Sequence, residues 1–96
     1  MEVANPQQHN GSISELKAAV ALMEQGYEIF IPMNRHSSFD LVAHRDGKIY
    51  RIEVKTNKCT TPVERIWSKN NFDVIITVYK DRIEYNGKHP FGKGVF

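Results

Sequence analysis

Phe39-Asp40-Leu41-Val42-Ala43-His44-Arg45-Asp46-Gly47-Lys48-Ile49-Tyr50-Arg51-Ile52-Glu53-Val54-Lys55 decides the fold. Two runs of alternating apolar and polar residues meet at Asp46-Gly47. Asp-Gly in that setting signals a hairpin, because a type I′ turn needs positive φ at both central positions. With those two as the loop, Arg45 faces Lys48, and every further pair has numbers that sum to the same 93. Asp40 then stands opposite Glu53, Val42 opposite Arg51 and Ser38 opposite Lys55. Alternation puts Asp40, Val42, Arg51, Glu53 and Lys55 on one face, and Tyr50, Ile52 and Val54 on the other. Opposed carboxylates with Cβ atoms about 5 Å apart repel each other. A divalent cation between them removes the conflict.

Outward from the hairpin, Ile13, Leu16, Val20 and Met23 recur at helical spacing among alanines, which predicts an amphipathic helix over 12–25 stopped by Gly26. Tyr27 to Ile31 reads as a strand closed by Pro32, and Met33 to Ser38 as a loop. After the hairpin, 57–61 reads as loop and Pro62 to Trp67 as a short helix. Phe72 to Tyr79 is a nearly continuous β-rich run, expected to be a central strand buried on both faces. Arg82 to Tyr85 is a further strand, Asn86-Gly87 a turn, and the stretch with Gly92 and Gly94 a loose end. The order predicts an α/β fold with a mixed sheet in one domain: 1–10 a flexible leader, 11–85 the core, 86–96 a tail.

Composition bounds the function. Ninety-six residues with 41% apolar and 10% aromatic side chains make a small globular domain of the size that often gains from self-association. Cys59 is single and has no Cys-x-x-Cys partner, so it is expected to be an inert thiol in a reducing setting. No run approaches the about 20 apolar residues of a membrane span, and residues 1–11 are polar, so a soluble, cytoplasmic protein is expected. The four histidines show no metal-ligand spacing and no glycine-rich phosphate loop occurs, which argues against zinc chemistry and an NTPase. Net charge is only +2, yet Lys48, Arg51, Lys55, Lys58, Arg65 and Lys69 crowd the carboxylate pair. A merely solvated basic surface is the alternative. Trp67 and Phe72 around Lys69-Asn70-Asn71 are read as packing aromatics rather than as a platform for bases.

Asp40, Glu53 and the carbonyl of Val54 offer the hard oxygen ligands that magnesium favours. Lys55 beside them can activate a water or neutralise charge developing on a phosphate. Those roles describe a hydrolytic site for phosphodiesters. His36 and Ser38 in the preceding loop, with Arg51 and Lys58, are the candidates for touching nucleic acid. An ordinary surface hairpin with Glu53–Lys55 and Asp40–Arg51 ion pairs is the competing reading.

Phe39-Asp40 followed across a hairpin by Glu53-Val54-Lys55 resembles the PD-(D/E)XK nuclease superfamily, with Phe39 where the proline often stands. Gly11-Ser12-Ile13-Ser14-Glu15 is similar to the Gly-x-x-x-Glu opening of archaeal Holliday junction resolvases and of small intron-encoded or phage relatives. The resemblance covers about residues 11–80. It implies a restriction-endonuclease-like αβββαβ core, metal ligation by Asp40 and Glu53 with Val54, a catalytic Lys55, and Glu15 completing the site. It also implies Mg2+, with Mn2+ as a substitute, DNA as the substrate, and a homodimer to cut two strands. Branched duplex is favoured over a sequence-specific target, because so short a chain is not expected to carry a separate recognition domain. A homing or restriction-type enzyme and a non-catalytic nucleic-acid-binding module of the same fold are the alternatives. Glu15 has a second reading, since Ser12-x-x-Glu15 is also a capping box that starts a helix.

Overall fold

A computed structural model describes residues 6–34, 37–56, 72–87, 91 and 94–95 of the chain. Among the described residues one helix, α1 (Pro6–Glu24), lies against a six-stranded sheet of β1 (Glu28–Phe30), β2 (Leu41–Arg45), β3 (Lys48–Thr56), β4 (Val74–Val78), β5 (Arg82–Gly87) and β6 (Gly94–Val95). The strands lie in chain order. Only β3 and β4 run parallel; the other neighbours are antiparallel, so the sheet is mixed as expected.

The hairpin forms as the sequence predicts. Asp46 and Gly47 take φ of 53° and 76°, and Arg45↔Lys48 through Leu41↔Ile52 keep the predicted register. The ladder ends at Leu41↔Ile52, one pair short of Asp40. Asp40 sits in a bend, with its N–H donating to the Ile52 carbonyl at 2.8 Å. Ser38, expected opposite Lys55, lies instead in the exposed loop before β2. The chain turns away there, so the backbone pairing cannot continue.

Helix α1 departs from the reading in three ways. It begins at Pro6, so residues 6–10 are helical rather than leader; proline suits a first turn, where its missing N–H costs nothing. Ser12 is therefore inside the helix and is not its cap. Third, the face turned to the sheet is Ser14, Ala18, Ala19 and Leu22, whereas Ile13, Leu16, Val20 and Met23 are exposed, Leu16 by 60%. The small side chains let the helix lie close to β3, its main neighbour. The stop at Gly26 (φ 89°) is a Schellman motif, with Gly26 N–H to Met23 O at 3.0 Å and Tyr27 N–H to Leu22 O at 3.1 Å. Arg45 reaches the same end, donating from Nη1 to the Gln25 carbonyl at 2.6 Å.

Strand β4 is central and buried almost throughout. Val74, Ile76 and Val78 join Leu22, Leu41, Ile52 and Ile83 in the main core, and Ile75 packs with Phe72 and Phe39 in a second cluster. Asn86-Gly87 is not a turn, because the pairing of β4 continues to Val74↔Gly87. The expected loose end is partly ordered as well: Gly94–Val95 pairs with β5, and buried Phe91 packs against Tyr27 at 4.9 Å and Tyr50 at 5.2 Å between ring centroids. Among the described residues no helix is long and apolar enough to cross a membrane. The short helix expected at 62–67, with Lys58, Cys59, Arg65, Trp67 and Lys69, lies outside the described residues, as does His36.

The reversed helix face has a direct test. Leu22→Ala is expected to lower unfolding stability by about 2–5 kcal/mol, and Leu16→Ala by no more than about 0.5 kcal/mol, in urea denaturation. Equal losses, or a larger loss at Leu16, would place the helix the other way round.

Candidate active site

The carboxylate of Asp40 is held by the sheet itself. Beyond Leu41 strand β2 no longer offers a backbone acceptor, and the Val54 N–H donates instead to Asp40 Oδ2 at 2.8 Å. Glu53 and Lys55, on either side of Val54, project to the face opposite the main core and pair with each other, Nζ to Oε1, at 2.9 Å. Both are largely covered, their side chains 18% and 27% exposed, so this pair is screened less than a surface one. From the other element, α1 carries Glu15 to the Asp40 carboxyl, with which it shares a hydrogen bond.

Three carboxyl groups and one ammonium thus gather at the junction of α1, the start of β2 and the end of β3. The electrostatic result appears at Glu15, pushed up to about 7. Burial is the largest cause, followed by the charge of Asp40, the hydrogen bond to Asp40, and the charge of Glu53. A protonated Glu15 donates to Asp40, which lets two acids share a site that two anions would contest.

The donor chemistry suits a hard divalent cation, since carboxylate oxygens and the carbonyl of β3 are the right type. The arrangement is not a closed ligand set: among the described residues no group of three acidic, histidine or cysteine side chains converges as a metal site. The reason is visible, because Glu53 is drawn to Lys55 while Asp40 is drawn to Val54 and Glu15. A cation held here would compete with Lys55 for Glu53.

Beside the acids lies a cleft of about 160 Å³ lined by Glu15, Asp40, Asn34 and Ser37 with an apolar wall of Ile31, Pro32 and Phe39. Ser38 is exposed next to it. Arg51, a candidate for touching nucleic acid, is engaged by Asp73: its N–H donates to Oδ2 at 2.8 Å, Nε to Oδ2 at 3.2 Å and Nη2 to Oδ1 at 3.1 Å. The guanidinium holds the Asp73 carboxyl below the usual aspartate range. Asp73 had no signal in the sequence, since the contact depends on how β4 joins β3 across a long connection.

Comparison with known proteins places these features in context. A family model described as PD-(D/E)XK endonuclease matches residues 5–86. Protein 5.3 of Escherichia phage T7 is 36% identical over 52 residues, which are 54% of this chain and 44% of that protein. The chain therefore spans less than half the length of that relative. Among solved structures, the bacterial homing endonuclease I-Ssp6803I superposes with a TM-score of 0.72 at 16% identity, covering 95% of this chain and 77% of that one. That likeness is one of fold, and it agrees with the restriction-endonuclease-like core.

The raised Glu15 carries a pH signature. The folded protein keeps a proton there that the unfolded chain has lost, so the contribution to stability is fully present below the ordinary glutamate value of 4.5 and disappears as pH rises through about 7. In EDTA, Glu15→Gln is expected to melt several degrees above the unaltered protein near about pH 8 and to lose that advantage near about pH 5. Thermal melts at the two pH values check this; a pH-independent difference would refute the crowding of acids.

Proposed function

This chain belongs to the PD-(D/E)XK endonuclease family, and from that premise we propose that it hydrolyses phosphodiester bonds in DNA with a divalent cation, Mg2+ or Mn2+. The observation that carries the proposal is the meeting of Glu15, Asp40, Glu53 and Lys55 at one end of β3. Asp40 and Glu53, with the Val54 carbonyl and Glu15, are the groups that would hold the cation. When bound, it supplies Lewis-acid stabilisation of charge on the phosphate and its leaving group.

The remaining steps belong to the chain's own residues. Asp40 stays fixed because the sheet needs its oxygen at the Val54 N–H. With a cation bound, Glu15 would serve as an anionic ligand rather than as a neutral donor to Asp40. Lys55 is the ammonium of the cluster among the described residues; it would orient the attacking water and offset charge on the phosphate as the bond to the 3′ oxygen breaks, a proton from the water passing to that oxygen and a 5′-phosphate remaining. The apolar wall of Ile31, Pro32 and Phe39 gives the adjoining sugar or base a surface that excludes water from one side. Cutting both strands takes two such sites, hence a homodimer in the cell interior.

Branched duplex is the substrate favoured by the sequence reading. A homing or restriction-type endonuclease acting on linear DNA is the second reading, kept because a bacterial homing endonuclease shares the fold over nearly all of this chain. The assay offers branched, linear and supercoiled DNA with Mg2+ or with EDTA. Metal-dependent cleavage is expected, reduced by about 10²-fold or more in Asp40→Ala, Glu53→Ala and Lys55→Ala. Cleavage untouched by all three substitutions, or none of any DNA with metal present, would reject the proposal. Preference between branched and linear forms decides the substrate.

A further inference from the structure

A larger cleft, about 360 Å³, lies on the opposite flank of α1 from Glu15, lined by Asn10, Ser14, Lys17, Thr56, Tyr79 and Lys80 together with Ile13 and Val78. Its described lining carries two lysines and no carboxylate. The floor is built and fixed: Ser14, only 5% exposed, shares a hydrogen bond of 2.9 Å with Thr56 between hydroxyl oxygens. Behind one wall the turn after β4 closes with the Tyr79 N–H on the Arg82 carbonyl at 2.8 Å, and the Arg82 guanidinium stacks on the Tyr79 ring at 4.1 Å. That turn presents Lys80 to solvent.

Two single-residue steps join this cleft to the acid cluster. Ser14 precedes Glu15 on the helix, and Thr56 follows Lys55 on β3. A helical step rises about 1.5 Å and a strand step about 3.3 Å, so the basic cleft and the acids are immediate neighbours facing different ways. A polyanion approaching three carboxyl groups is repelled unless cations flank them, and two ammonium groups at one cleft, with hydroxyl and amide side chains beside them, are the complement to a backbone phosphate.

We propose that the Lys17–Lys80 cleft seats a non-scissile phosphate of the nucleic-acid strand whose neighbouring phosphate meets the acid cluster. The inference rests on the nuclease reading and adds to it the path of the strand, across α1 from one cleft to the other. It makes Lys17 and Lys80 positioning residues, contacting backbone and blind to base sequence.

The test is equilibrium binding of a short labelled duplex in EDTA, followed by anisotropy from about 50 to about 200 mM salt. The Lys17→Gln/Lys80→Gln protein is expected to bind several-fold more weakly, with a log K against log salt slope shallower by about 0.9, the value for one neutralised phosphate. The Lys17→Arg/Lys80→Arg protein is expected to keep the slope. In the unaltered protein, bound duplex is expected to shield both lysines from acetylation, read by mass spectrometry, which needs no substitution to fold. An unchanged slope in the glutamine protein, or acetylation unaffected by DNA, overturns the seat. Displacement of the duplex by an equal concentration of inorganic phosphate assigns the cleft to the free ion and also overturns it. Protein that binds duplex through these lysines but cuts nothing keeps the seat and removes the nuclease reading; protein that cuts while the slope stays unchanged removes the seat alone.

Discussion

The bond from the Val54 N–H to Asp40 Oδ2, 2.8 Å long, is the constraint around which the site is built. Where β2 bends away, β3 is left with a donor that the ladder no longer satisfies, and an unmet donor inside a sheet is costly. A carboxylate supplies the missing acceptor and makes the bond charge-assisted. Its position is thereby settled by the hydrogen-bond needs of the sheet, before any ligand arrives. Glu15 comes to its side from α1, and Glu53 next along β3 pairs with Lys55.

The same device recurs on the other edge of β3. The Asp73 N–H donates to the Arg51 carbonyl at 2.7 Å, and the Asp73 carboxylate accepts from the Arg51 N–H and guanidinium. Both edges of β3 thus carry an aspartate that stands in for strand backbone, Asp40 near its end and Asp73 before β4 begins. Only the first is close to other acids. Asp73 is neutralised by its own arginine, and with both side chains well exposed that pair fixes geometry more than it adds stability.

The hairpin was legible in the sequence because a two-residue turn and strict alternation leave one register, and β4 because a run of β-branched residues has few other homes. The helix face was not legible. Periodicity alone offers two rows, Ile13-Leu16-Val20-Met23 and Ser14-Ala18-Leu22, and hydrophobicity favours the first. Close packing on a sheet favours the second, since small side chains let the two backbones approach. Asn86-Gly87 misled for a similar reason, its local turn preference yielding to pairing with β4. Phe91 gave no local sign of packing among tyrosines far away in sequence. In the site, alternation put Glu53 and Lys55 on one face, Asp40 left the expected register at the bend before β2, and the approach of Glu15 could be anticipated only through family resemblance.

Ala18, wholly buried between α1 and the sheet, shows what that close packing entails. It lies about one turn from Glu15, the acid that the helix carries to Asp40. A larger side chain there would have to be fitted between helix and sheet, so the filling of the interior and the meeting of two acids at its rim are not independent.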